Sequence, residues 1–347
     1  MSLTTRHVYE AAARLAQTKL LYRTPVFDCP ALNRFLGGGH RIFFKCENLQ
    51  RVGAFKSRGA LNAVLKAVKK EEKPSQIVAY SSGNHAQAVA WACSKLGVDC
   101  TIFMPDNVSP LKAKATAAYG ATVQLAPTRP VAEQWAADAV AKGALLIPPF
   151  DHDDVITGQG TACLEAIEDM TAQGVEVDCI LAPVGGGGLI GGTYLAAGTS
   201  MIRHPPSIIG AEPATGNDAS LSFQSGVIHQ LDRQPQTMAD GAMTMAVSER
   251  TFEYVKKLDD IYEVSELEIA YWTQWMTHLL KLTVEPTSSM PLAAAVRWLQ
   301  KARDPQNVLC IISGGNVATD MRMRVWKENR LDSIPSLDID WSAMPSQ

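Results

Sequence analysis

Short apolar or β-branched runs alternate with longer helical patterns along most of this chain, and that alternation limits the fold more than any other feature. RIFFKCE (residues 41–47) precedes a helical pattern over residues 57–70, and QIVAYSS, HAQAVAWACSKLG, CTIFMP and ATVQLAP continue the rhythm into a helix after Arg129. ALLIPP, a helix near residues 160–173, CILAPVGGG, a helix near residues 189–198 and SIIGAEP complete it. Parallel strands need a crossover, so strand and helix in alternation predict an α/β architecture of mostly parallel sheets flanked by helices.

With 347 residues and 46% hydrophobic composition the chain can build two ordinary cores. No linker or repeat marks a boundary, so the division follows the motifs: a large domain of residues 1–50 with 154–347, a small domain of residues 51–153, and a cleft between them. A net charge of -3 and no basic block beyond pairs such as Lys69-Lys70 argue against nucleic acid as a partner. No apolar run approaches the ~18 residues of a membrane span. The opening MSLTTRHVYEAAARL reads as an amphipathic helix, and a cytoplasmic location is expected. Seven cysteines, scattered and never in a CxxC pair, read as buried reduced thiols. The tail after Arg330 is expected on the surface.

Four segments carry chemistry, three of them where a strand hands over to a helix, the edge at which open parallel sheets bind ligands. GAFKSRGA (53–60) places Lys56 at a helix start, either as a surface lysine or as an amine held unprotonated for a Schiff base. PVGGGGLIGG (183–192) has four successive glycines, Gly185, Gly186, Gly187 and Gly188, whose N–H groups can surround an anion at a helix N-terminus. It lacks a P-loop lysine and the later acidic residue of dinucleotide sites. In YSSGNHAQA (80–88), Ser81, Ser82 and Asn84 with the helix N–H groups suit a carboxylate or ring oxygen; a simple helix cap is the alternative. His85 by itself reads as structural. CIISGGN (310–316) ends a buried strand at Ser313, whose hydroxyl can bond a heterocyclic nitrogen.

FKSRGA, SSGNHAQA, GQGT (158–161), PVGGGG and SGGN, in this order, resemble the fold-type II pyridoxal-phosphate (PLP) enzymes, in the serine/threonine dehydratase and serine racemase branch that includes 3-hydroxyaspartate dehydratases. The resemblance implies a tryptophan-synthase-β-like fold. It implies that Lys56 binds PLP as a Schiff base, with Phe55 against one ring face and Gly241 near the other. Asn84 would meet the ring hydroxyl, Gly185 to Gly188 the phosphate, and Ser313 the ring nitrogen. Ser81, Ser82, Asn84 and His85 become substrate-binding candidates. With serine rather than an acid at the ring nitrogen, prompt loss of a β-substituent is favoured over a long-lived carbanion.

The expected activity is therefore dehydration of L-serine, L-threonine or a 3-hydroxyaspartate to a 2-oxo acid and ammonia. An amino-acid racemase is the alternative, because Ser82 could act as the acid opposite Lys56. Arg129 is a candidate for a second substrate carboxylate, although racemase relatives carry an arginine a few positions later. In AEPATGND (211–218), Glu212, Gly216 and Asp218 resemble the branch's all-oxygen site for Mg²⁺, Ca²⁺ or Mn²⁺. The expected assembly is a homodimer acting on a small amino acid, without a nucleic-acid or membrane partner. Lys56→Ala should abolish both turnover and the visible absorption of bound PLP; a borohydride-reducible link at any other lysine would refute the assignment.

Overall fold

The computed structural model describes residues 2–69, 73–108 and 110–344. Among them, ten strands run in chain order: β1 (Val26–Asp28), β2 (Arg41–Cys46), β3 (Ile77–Tyr80), β4 (Cys100–Pro105), β5 (Thr122–Ala126), β6 (Leu145–Leu146), β7 (Cys179–Pro183), β8 (Ser207–Pro213), β9 (Asp260–Val264) and β10 (Asn307–Ile312). They form a six-stranded sheet of order β1-β2-β10-β7-β8-β9 and a four-stranded sheet of order β5-β4-β3-β6. Every pairing is parallel except β1 with β2. The alternation read in the sequence is thus an α/β fold with two mostly parallel sheets.

The central strands β2, β7 and β10 are buried almost end to end, as parallel strands covered on both faces must be. Successive residues divide between the two covering layers. In β2, Ile42 and Phe44 enter the layer of Tyr271, Trp272 and Leu292, whereas Phe43 packs with Ile180, Leu309 and Leu164 on the other side. The smaller sheet repeats the pattern, with Ile77 and Ile102 facing Leu61 and Val89 while Val78 and Phe103 face Ala132 and Ala136.

The N-terminal amphipathic helix is present over Thr5–Thr18. The helix expected near residues 160–173 begins earlier and spans Asp153–Ala172, which puts GQGT inside it. Its glycines remove side chains where helices cross. A Cβ on Gly158 would sit 2.6 Å from the Gly59 Cα of helix Lys56–Val68, and one on Gly160 would sit 2.6 Å from the Gly192 carbonyl of helix Gly188–Ala197. GQGT is therefore the point at which the lysine-bearing and glycine-loop helices are pressed against a common third helix. The tail after Arg330 does not simply lie on the surface. Leu331, Leu337, Ile339 and Trp341 pack onto the core, and Tyr271 Oη and Trp275 Nε1 both donate to the Ser333 carbonyl, at 2.8 and 3.0 Å.

Gly160→Ala should lower stability by about 1–3 kcal/mol in urea unfolding, through overpacking at the crossing. If helix propensity dominated instead, the variant would gain up to about 1 kcal/mol, and the packing account would fail.

Candidate active site

Loops after the carboxyl ends of β3, β7 and β10 converge on a cleft of about 270 Å³, near the lower end of the usual range for small-molecule sites. Its lining includes Phe55 and Lys56 from the helix start, Ser81, Ser82, Asn84 and His85 from the loop after β3, and Gly185 to Gly188 from the loop after β7. Gly241 and Ser313 also line it, and Arg129 stands at its rim. The structure thus brings together every sequence-derived candidate except the Glu212, Gly216 and Asp218 group.

Lys56 heads its helix with its Nζ donating to the Pro149 carbonyl at 2.7 Å and lying 5.1 Å from the Phe55 ring centre. Desolvation lowers its pKa to about 8, against an upward pull from Glu285. An ammonium that sheds its proton near neutrality is a usable nucleophile and base. The glycine loop is shaped by its neighbours. Gly187 has φ +84°, and a Cβ on Gly186 would enter the Phe150 ring. Gly187 provides no side-chain cap to helix Gly188–Ala197, and the Thr244 hydroxyl, buried without a hydrogen-bond partner, lies 3.6 Å from a Cβ built on Gly185. A helix N-terminus with a spare hydroxyl is a fitting anion cradle.

His85 is buried, with Nε2 2.8 Å from the Ile147 carbonyl. Burial and then Lys56 lower its pKa to about 3, so it is neutral at physiological pH. Asn84 is oriented by two partners: its Oδ1 accepts from Asn316 Nδ2 at 2.8 Å and its Nδ2 donates to Glu285 Oε2 at 3.0 Å. Arg129 is half-exposed and paired with Glu133 at 3.1 Å. Several lining groups carry no motif in the sequence, among them Lys112, Asp240, Thr244 and Glu285. Lys112 and Asp240 join the two walls of the cleft by a 3.0 Å ion pair. The usable hint for Glu285 is an acid immediately before a Pro-Thr-Ser-Ser turn.

Away from the cleft, Glu212 stands next to the last residue of β8 and caps helix Asp218–Ser225, accepting from the Ala219 and Ser220 N–H groups at 3.2 and 2.7 Å. Burial raises Glu212 well above the carboxylate range and Asp218 to about 7, and Asp218 Oδ2 is buried without a hydrogen-bond partner. Among the described residues no cluster of three or more His, Cys, Asp or Glu side chains is arranged to hold a metal.

Residues 17–314 match the family described as pyridoxal-phosphate dependent enzyme, and the chain belongs to that family. It is 40% identical over 316 residues to the L-threo-3-hydroxyaspartate ammonia-lyase of Saccharomyces cerevisiae, covering 89% of this chain and 92% of that one. It is 38% identical over 305 residues to the serine racemase of Schizosaccharomyces pombe, covering 86% and 90%. Among solved structures, the serine racemase from Dictyostelium discoideum superposes with a TM-score of 0.82 at 35% identity, over 92% of this chain and 100% of that one. The site fits PLP on its own chemistry, with a buried amine for the aldehyde and a glycine cradle plus orphan hydroxyl for the phosphate.

Because Lys56 must be unprotonated to attack an aldehyde, the rate at which apoenzyme captures PLP should rise through about pH 8 and then level off. Stopped-flow absorbance measures this rate; one still climbing at about pH 10 would show an unperturbed amine.

Proposed function

We propose that this chain is a PLP-dependent ammonia-lyase that dehydrates a β-hydroxy amino acid, preferentially one with a second carboxylate such as a 3-hydroxyaspartate, to a 2-oxo acid and ammonia. The observation that carries it is the Lys56 amine, near-neutral in pKa, at a cleft that also presents a helix N-terminus and two cations. Bound PLP supplies the electron sink for the α-carbon. Ser81, Ser82 and Asn84, at the start of helix Asn84–Leu96, receive the α-carboxylate, which that N-terminus favours electrostatically. Lys56 removes the α-proton, and the β-hydroxyl departs as water. The enamine released is hydrolysed to the 2-oxo acid. Identity to hydroxyaspartate ammonia-lyases supports the substrate class.

Arg129 takes the second carboxylate in this reading. Its bond to Glu133 is solvent-exposed and weak, so a substrate can replace it. Ser82 keeps a hydroxyl in the cleft and gives the enzyme a minor racemase activity, in line with the likeness to serine racemases. The working unit is a homodimer in a reducing compartment, the cytoplasm, which suits seven buried unpaired thiols. Glu212 and Asp218, with the Gly216 carbonyl, hold Mg²⁺, Ca²⁺ or Mn²⁺. Two buried carboxyls with raised pKa and an orphan oxygen gain from a hard cation, and the ion supports the fold rather than the chemistry.

Steady-state assays of Arg129→Ala should show kcat/KM for 3-hydroxyaspartate reduced about 10–100-fold, with serine changed less than about threefold. An equal loss on both would remove Arg129 from substrate selection, and no 2-oxo acid from any β-hydroxy substrate would remove the lyase reading itself. Thermal unfolding with and without Mg²⁺, Ca²⁺ or Mn²⁺ should show stabilisation that Asp218→Ala abolishes; melting curves that ignore the cations in wild type would refute the metal site.

A further inference from the structure

We infer that Glu285 sets the protonation of the PLP ring nitrogen through the Ser313 hydroxyl, an inference resting on the reading that Ser313 meets that nitrogen and Asn84 the ring hydroxyl. Glu285 bridges these two side chains. Its Oε1 lies 3.2 Å from Ser313 Oγ, and its Oε2 accepts from Asn84 Nδ2 at 3.0 Å. The carboxyl is held from behind, because the Glu285 N–H donates to the Gly314 carbonyl at 3.0 Å and Pro286 opens the next turn. Only 3% of the residue is exposed.

These contacts fix where a proton can sit. The Asn84 oxygen is already taken by Asn316, so the amide cannot turn over and Oε2 of Glu285 must remain an acceptor. A proton on Glu285 therefore belongs on Oε1, aimed at Ser313. On its other side Ser313 Oγ lies 2.8 Å from Ser288 Oγ, whose hydrogen can turn from the Gly314 carbonyl at 3.0 Å to Ser313. With Ser288 donating, the single Ser313 hydrogen stays free for Glu285 or the ring nitrogen. The Ser313 hydroxyl is a two-way relay. In one arrangement Glu285 donates to Ser313 Oγ, and the Ser313 hydrogen bonds an unprotonated ring nitrogen. In the other, the Glu285 proton has moved to Ser313 Oγ and the original Ser313 hydrogen has moved to the ring nitrogen. One proton shifts along two bonds, leaving a carboxylate at one end and a protonated ring nitrogen at the other.

The charges around Glu285 keep that proton available near neutrality. Burial and Asp240 of the turn Asp240–Ala242 raise its pKa to about 7, opposed by the hydrogen bonds from Asn84 and Ser313 and by Lys112 of helix Pro110–Ala118. Lys56 also faces it. Serine at the ring nitrogen then does not by itself impose a neutral ring. Below about pH 7 the relay holds the extra proton and strengthens the electron sink; above it the ring is neutral and loss of a β-hydroxyl is favoured.

The test is nuclear magnetic resonance of holoenzyme loaded with PLP labelled at the ring nitrogen. In wild type the nitrogen resonance should shift toward the protonated form as pH falls through about 7. Glu285→Gln keeps both hydrogen bonds but has no proton to pass on, so its resonance should stay at the unprotonated position from about pH 9 to about pH 6, with PLP affinity changed less than about tenfold. Ser313→Ala, which cuts the relay while keeping the acid in place, should be equally flat. A flat wild-type titration, or a wild-type titration in either variant, overturns the inference. Borohydride trapping separates the two levels of the argument: absence of a link at Lys56 in wild type defeats the cofactor reading and this inference with it, whereas a normal link with an unaltered titration in Glu285→Gln defeats this inference alone.

Discussion

A buried knot of four charges holds the site together. Arg58, 1% exposed, donates to Glu47 at 2.7 and 2.8 Å and to Glu165 at 2.7 and 2.8 Å, and Lys45 joins Glu165 at 2.8 Å. Two cations and two anions balance, and Thr24 and Thr161 supply further bonds. The desolvation cost of such a group makes it a poor source of net stability, but removing one member would strand a buried charge at a cost of about 3–5 kcal/mol. Its value is positional. It fastens the end of β2, helix Lys56–Val68 and helix Asp153–Ala172 to one another, two residues from Lys56.

The glycine crossings act with that knot. Charge pairing fixes direction and register, whereas the absent side chains at Gly59, Gly158, Gly160 and Gly192 let three helices approach backbone to backbone. Lys56 and the anion cradle stand at the N-terminal ends of two of those helices, so their separation is set by helix packing rather than by loop conformation. The helix Pro110–Ala118 and the turn Asp240–Ala242 then add the Lys112 and Asp240 pair across the cleft.

Much of this is legible in the sequence because each clue has a local physical cause. Buried parallel strands demand largely apolar runs, and β2, β4, β7, β8 and β10 have them. The turns GNHA, GGGG and SGGN stand out because a strand must hand over to a helix there. The helix at Asp153 reads too short from sequence because Gly158 and Gly160 resemble breakers, and their purpose is visible only from the helices they touch. Edge strand β1 and the two-residue β6 have too few residues to show a period. Lys112, Asp240, Thr244 and Glu285 are hidden for another reason: their distance from one another in sequence conceals that only the folded chain brings them to one cleft.

The order of the strands also governs how the molecule comes into being during synthesis. The four-stranded sheet is built from one continuous stretch, β3 to β6, and can close as soon as that stretch has left the ribosome. The six-stranded sheet cannot, because its interior position between β2 and β7 is filled by β10, the last strand made. Until then the β1–β2 pair and the β7–β8–β9 group are separate fragments with unpaired edges, and the β1–β2 pair stays so for most of translation. Arg41 waits for Asn307 to pair with it, a very long loop to close. Ser313 follows directly on β10, so the cleft gains this part of its lining in the same event that completes the core.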